Sequence, residues 1–504
     1  MNSVRLWKKG RMQATIFLPV MLLVLLAGCS GKSPIALNDP INKISRSETN
    51  AEVLQSWVIA DSKADVLIHI DSSDDMRVFP PSYEETIKNA ADHLRRKNIL
   101  VVDQIASFIE QGGTVNLGHK AGLFKRVIWV LPAKRSVGIG SVDNLKNVLC
   151  EKRPYTRANL TDFVSDGKHV NGTIGGIPVT FSNIEDLEVG PDETAIIDID
   201  LGFFLGQKAQ DPEGRMGTRV LLDFLRILKR KKIATSQVSI NLGAIGGAIP
   251  YDLRFFGGVI TEVMADPSIL EGALPQKYTM MLEAEDALIT GNYERATALY
   301  GHLTEKCPND AGLFFSRAVA QAFNGDGESA AESIFGAYDL DTNYLRGFFQ
   351  LARVLAVNGK VEAGEKILSS PGLGKLINQD ELDYQRGIFF FNARDFYTAL
   401  TYLELISTRR PEDFALRTVM YQAYKGTDNM PRMTSTLERL IKMDENRVIR
   451  DMPWVYKELG GLAESSKVYK RALEVYQIYL EYVPNDPDAA KIRKKIDTWK
   501  AAGY

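Results

Sequence analysis

The chain has 504 residues, of which 45% are hydrophobic and 25% charged, with a formal net charge of −2. No basic excess argues for a nucleic-acid partner, and beyond the N-terminus no apolar run is long enough to cross a bilayer. The composition is that of an ordinary globular body.

In chain order, Arg5, Lys8, Lys9 and Arg11 form a basic start and Ile16 to Leu26 a short apolar stretch. Leu26-Ala-Gly-Cys29 then resembles the lipobox of bacterial lipoproteins. The resemblance implies a signal peptide over residues 1–28 and a mature N-terminus at Cys29, the lipidation site, carrying palmitate-type acyl chains. At roughly 0.8 kcal/mol per buried CH₂, several chains anchor a protein to the lipid bilayer essentially for good. Ser30 in place of aspartate implies sorting to the outer membrane, with the body in the periplasm of the cell envelope. Residues 29–47 are polar and turn-rich, a linker. Only Cys150 and Cys307 remain, in different domains, which excludes a disulfide framework and leaves a single bridge open.

From 48 to 265 short β-branched runs alternate with amphipathic ones. Expected strands are Val66 to Ile70, Asn98 to Val101, Val127 to Leu131, Ile177 to Phe181, Ala195 to Ile199 and Val238 to Leu242. Expected helices include Tyr83 to Arg96 and Thr218 to Lys229. The alternation predicts an α/β domain with a mostly parallel sheet covered on both faces. Two strands end in carboxylates, Ile70-Asp71-Ser-Ser-Asp74-Asp75 and Ile197-Asp198-Ile-Asp200. Parallel sheets keep their sites at that edge. If the two edges adjoin, Asp71, Asp75, Asp198 and Asp200 crowd one point and are candidate ligands for a hard cation, Mn²⁺, Mg²⁺ or Ca²⁺. The plain alternative is four aspartates that cap turns, with no ion at all. His69 is expected on the strand face opposite Asp71, as a core residue. Gly243-Ala-Ile-Gly246-Gly247-Ala-Ile-Pro250-Tyr251 is either a site-lining loop or a tight turn.

His69-Ile-Asp71-Ser-Ser-Asp-Asp75 resembles the His-x-Asp-x-His-x-Asp box of the arginase-like family that includes bacterial peptide arginases. Asp198-Ile-Asp200-Leu-Gly202-Phe-Phe resembles its Asp-x-Asp-x-Asp-Phe-Phe box. Ile105 to Ile109 and Gly122 to Pro132 resemble the helix and strand between them. The resemblance implies the three-layer α/β/α fold of arginases and deacetylases, and a two-metal centre whose hydroxide attacks a guanidinium carbon to release urea. Ser73 stands where the box has histidine, Gly202 where it has a third aspartate, and Glu48-Thr-Asn50 where an upstream segment carries histidines. Those departures remove the ligands that favour transition metals.

Near Asp266-Pro-Ser268 the strand pattern ends, and from about 277 to 500 a 34-residue period takes over. Gly291, Tyr293, Ala296, Tyr300 and Pro308 recur as Gly325, Ala330, Ile334 and Ala337, then Gly359, then Phe396, Ala399, Leu403 and Pro411, then Ala472, Tyr476 and Pro484. These residues resemble the tetratricopeptide repeat and predict an all-α solenoid of about six units with a groove for a protein or peptide partner. Two functions fit: a membrane-anchored binding protein with a degenerate arginase-like domain, or a metal-dependent hydrolase of an arginine-like group in a peptide. The missing histidines favour the first.

Overall fold

The structure, a computed structural model, describes residues 35–36, 41–61, 63–73, 75–79, 81–132, 141–152, 156–207, 217–243 and 251–504. Cys29 with its signal segment, Asp74 and residues 244–250 of the glycine-rich loop lie outside the described residues.

Nine strands among the described residues form one sheet: β1 Ile35–Ala36, β2 Ile44–Ser47, β3 Val66–Ile70, β4 Arg126–Val130, β5 Leu160–Ser165, β6 Val170–Ile174, β7 Ile177–Ser182, β8 Ala195–Asp200 and β9 Ala234–Asn241. Their order is β1-β9-β8-β3-β4-β7-β6-β5, with β2 also paired to β9. The run β2-β9-β8-β3-β4-β7 is parallel throughout. From β3 the chain moves outward through β4 to β7, then returns to the other side of β3 for β8 and β9. The strand order therefore reverses between β3 and β8, and in such sheets the crevice beyond the carboxyl ends at that reversal is where ligands bind.

All five residues of β3 are buried, as a central parallel strand requires. One face carries Leu67, Val127, Trp129 and Ile196 beneath helices Asn50–Ile59, Glu84–Arg95 and Thr114–Lys120. The other carries Ile68, Ile70, Val130, Ile197 and Ile199 beneath helices Thr218–Arg230 and Phe255–Ala265. Helices thus cover both faces of the sheet.

Two expectations fail here. Ile44–Ser47, expected within the linker of residues 29–47, is strand β2, paired in parallel along β9. Asn98 to Val101 is no strand: Leu100–Gln104 is a short helix, entered where the Asn98 side chain accepts from the Leu100 N–H at 3.2 Å. Its β-branched Val101 and Val102 are buried from the helix instead. Beside Ile177–Ser182, the sheet continues in the antiparallel strands β6 and β5, whose sequence gives only broken alternation.

Beyond residue 275 the described chain is helical. Six hairpins pair Gln276–Ile289 with Tyr293–Lys306, Ala311–Phe323 with Gly327–Leu340, Leu345–Val357 with Val361–Leu368, Gln379–Asn392 with Phe396–Arg409, Phe414–Gly426 with Met430–Met443, and Trp454–Ser465 with Tyr469–Tyr482. Helix Ala489–Ala501 closes the array. Within each hairpin the turn needs one left-handed residue: Gly291, Gly325 and Gly359 supply it in the first three, Arg394, Asp428 and Lys467 in the last three. In four of the six an asparagine or aspartate then caps the second helix, Asn292 for the Arg295 N–H, Asp326 for the Ser329 N–H, Asp395 for the Thr398 N–H and Asn429 for the Arg432 N–H. At the fourth or third position of that helix, Ala296, Ala330, Ala363, Ala399 and Ala472 are buried where the helices meet, with Met433 filling the same place in the fifth hairpin.

No break in packing marks the change of pattern near 266–268. Tyr278, Met281, Ala284, Ala296, Tyr300 and Leu313 belong to the same apolar cluster as the β8 and β9 residues, so the first hairpins complete the layer on that face.

Candidate carboxylate site

Asp71 and Asp75 follow β3, and Asp198 and Asp200 end β8, so all four lie at the crevice where the strand order reverses. Asp71, Asp75 and Asp198 are buried and Asp200 is half-buried. The sequence's convergence of the two clusters holds in space. Register explains it: across β3, β8 and β9, His69 is opposite Asp198 and Asp198 opposite Ser239, while one pleat further Asp200 is opposite Asn241.

That register corrects the reading of His69. Residues two apart on a strand share a face, and the His69 ring lies inside the cluster. Its Nδ1 is 3.0 Å from Asp198 Oδ2, its Nε2 3.1 Å from the Ser73 carbonyl and 3.6 Å from Asp71 Oδ2. A ring with one nitrogen facing a carboxylate and the other a carbonyl is satisfied as an imidazolium donating from both. Burial alone would pull its pKa down, but the Asp198 hydrogen bond and the charges of Asp71, Asp198 and Asp75 push it up to about 10.

The remaining polar atoms are closely accounted for. Ser239 Oγ donates to Asp198 Oδ1 at 2.5 Å and accepts from Trp57 Nε1 at 2.9 Å. Ser73 Oγ donates to Asp75 Oδ1 at 2.9 Å, and Asn50 Nδ2 to Asp75 Oδ2 at 3.2 Å. Asn241 Nδ2 donates to Asn50 Oδ1 at 2.7 Å, and Asn241 Oδ1 accepts from the Gly243 N–H at 3.1 Å. Asp200 Oδ1 accepts from the Gly202 N–H at 2.6 Å. Trp129 Nε1 donates to the Asp71 carbonyl at 2.9 Å. Asp75 has a left-handed backbone, φ 47°, held by its carbonyl accepting from the Val115 N–H at 2.9 Å. Strained backbone of this sort concentrates at functional positions.

Charge is incompletely balanced. Burial, then the neighbouring Asp71, Asp75 and Asp198 carboxylates, hold Asp200 well above the usual carboxylate range. Burial likewise raises Asp71, against the opposing pull of His69. One ligand atom from each of His69, Asp71 and Asp75 lies within 4.8 Å of the others, so this group could hold a metal ion. The carboxylates of Asp71 and Asp75 are the oxygen donors that a hard cation prefers. The cluster does not suit a two-metal centre: the nitrogen of His69 nearest Asp71 points at a carbonyl, and Ser73 and Asn50 spend themselves on Asp75. His69, Ser239 and Asn241 are the members missed in the sequence; the register of β3, β8 and β9 brings all three in.

The other histidines stay apart, His169 for example against Asp166 and the Asp186 carbonyl. Cys150 and Cys307 are free thiols. No helix among the described residues is long and apolar enough to cross a membrane.

No family model and no curated protein matches the chain. Among solved structures, MamA from Desulfovibrio magneticus RS-1 is 15% identical, with 43% of this chain and 99% of MamA covered and a TM-score of 0.21. The APC/C hetero-tetramer Cut9–Hcn1 is 15% identical over 58% of this chain and 55% of its own, with a TM-score of 0.25. Scores so low carry no argument.

Proposed function

We propose that the chain is a lipid-anchored binding protein of the bacterial cell envelope, held through acylated Cys29 and sorted to the outer membrane. Its repeat array takes a protein or peptide partner, and its α/β half is a degenerate arginase-like module without turnover. The observation that carries this reading is the state of the donor atoms. Where the arginase-like boxes would place metal-binding imidazoles, Ser73 and Asn50 hydrogen-bond Asp75, and the one histidine in the cluster bridges Asp198 to a carbonyl. Stacked helical hairpins that expose a long concave surface are suited to extended partners.

A second reading, a metal-dependent hydrolase acting on a guanidinium group, is supported by the persistence of four carboxylates at the reversal crevice. Mn²⁺, Mg²⁺ or Ca²⁺ would be held there by Asp71 and Asp75, supplying a polarised water for attack. The full mature chain incubated with Mn²⁺ and arginine-containing peptides separates the two. No urea is expected; urea that appears and is lost in Asp71→Asn would overturn the binding reading. Anchoring is tested apart from this: Cys29→Ser is expected to leave the membrane fraction or to accumulate uncleaved, and unchanged fractionation and mobility would remove the lipoprotein assignment.

A further inference from the structure

Arg254, just before helix Phe255–Ala265, is 2% exposed, which for a guanidinium demands fixed counter-charges. They come from opposite directions. Nη1 donates to Glu48 Oε2 at 2.6 Å and Nη2 contacts Glu48 Oε1, while Nη2 and Nε donate to Asp341 Oδ2 at 2.8 and 3.2 Å. The guanidinium also lies 5.4 Å from the Tyr344 ring centroid. Glu48 sits between β2 and helix Asn50–Ile59; Asp341 sits at the junction of the second and third hairpins.

Glu48 is tied on both sides. It accepts from Asn343 Nδ2 at 3.2 Å, and its N–H donates to Glu52 Oε2 at 2.6 Å. Two residues on, Asn50 holds Asp75. A parallel contact joins Tyr251 to the array: its N–H donates to Gln350, and its ring centroid is 5.9 Å from that of Tyr344 and 6.2 Å from that of Phe315.

We propose that Arg254 is a positioning residue through which the helical array sets the geometry of the carboxylate site. Asp341 and Asn50 do not touch, yet each is one link from the Arg254–Glu48 pair. Neutralising Asp341 leaves a buried cation leaning on Glu48 alone, and Glu48 is covalently continuous with the helix start that carries Asn50. A partner seated against the second and third hairpins would act on the same pair, so the device offers a route from partner binding to the crevice. None of this depends on whether the crevice takes a cation or turns over.

Hydrogen exchange of the full chain tests it. In Asp341→Asn, amides of 49–59 and 75–79 are expected to exchange about tenfold or more faster than in wild type, with 396–482 unchanged. Coupling is reciprocal, so Glu48→Gln should accelerate 341–357 in return. Acceleration confined to 341–345 in the first variant, or spread evenly over the whole chain, would overturn the proposal. So would a Glu48→Gln variant whose array exchanges at wild-type rates.

Discussion

At the scale of single residues, the four aspartates divide by what their oxygens already hold. Asp198 has Ser239 on one oxygen and the His69 imidazole on the other, so its charge is part of a buried pair. Removing one partner of such a pair strands the other, at a cost of roughly 3–5 kcal/mol. Asp198→Asn should therefore lower the urea midpoint substantially. Asp200 is the opposite case, a carboxyl raised by burial and by three neighbouring carboxylates. Asp200→Asn keeps an oxygen for the Gly202 N–H and relieves repulsion, so its midpoint should equal or exceed the wild type at pH 8. Equal losses in the two variants would refute this division.

At the scale of elements, the joint between sheet and array contains a titratable cap. Glu285, on the first helix of the first hairpin, accepts from the Thr218 N–H at 2.8 Å and from Thr218 Oγ1 at 2.6 Å, capping helix Thr218–Arg230 across the joint. Burial raises its pKa to about 7, against the Thr218 bonds and Arg219 and with Asp286 adding to the rise. A carboxyl raised above its unfolded value of 4.5 favours the fold fully below pH 4.5, and that contribution is lost as pH climbs through about 7. The effect is worth about 3 kcal/mol at most. Glu285→Gln should flatten the difference between urea midpoints measured at pH 5 and pH 8; an undiminished slope would assign the titration elsewhere. Lys467 holds φ 60° where the first three hairpins use glycine, so Lys467→Gly should raise the thermal midpoint, by about 1 kcal/mol of stability.

At the scale of the molecule, the first hairpins finish the apolar layer that the sheet begins. Tyr278 and Tyr300 are almost wholly buried in the cluster that contains Ile197, Ile240 and Phe256. Cutting the chain after residue 265 would expose that layer, and at about 25 cal/mol per Å² of apolar surface returned to water the loss draws on a domain's usual margin of about 5–15 kcal/mol. Calorimetry should give the fragment 35–265, which keeps β1 and β2, a much lower midpoint than the full chain, or no transition. A fragment as stable as the full chain would mean that the joint carries little energy.

Local periodicity carries the alternating α/β half and the 34-residue helical period, through apolar runs and through small residues and turns at a fixed spacing; it also puts carboxylates at the ends of two strands, but that those ends adjoin is decided by the pairing of β3 with β8. Antiparallel β5 and β6 were not legible, since their alternation is broken and they form by adding outward from β7, β6 on β7 and β5 on β6. The short helix at Leu100–Gln104 was misread because its β-branched residues are buried by helices around them rather than by a sheet. Only the tertiary structure put His69 between Asp71 and Asp198, Asn50 on Asp75, and Arg254 between Glu48 and Asp341. Those contacts join residues up to 206 positions apart. Register and long-range packing decide them, and neither is encoded in any window of neighbouring residues.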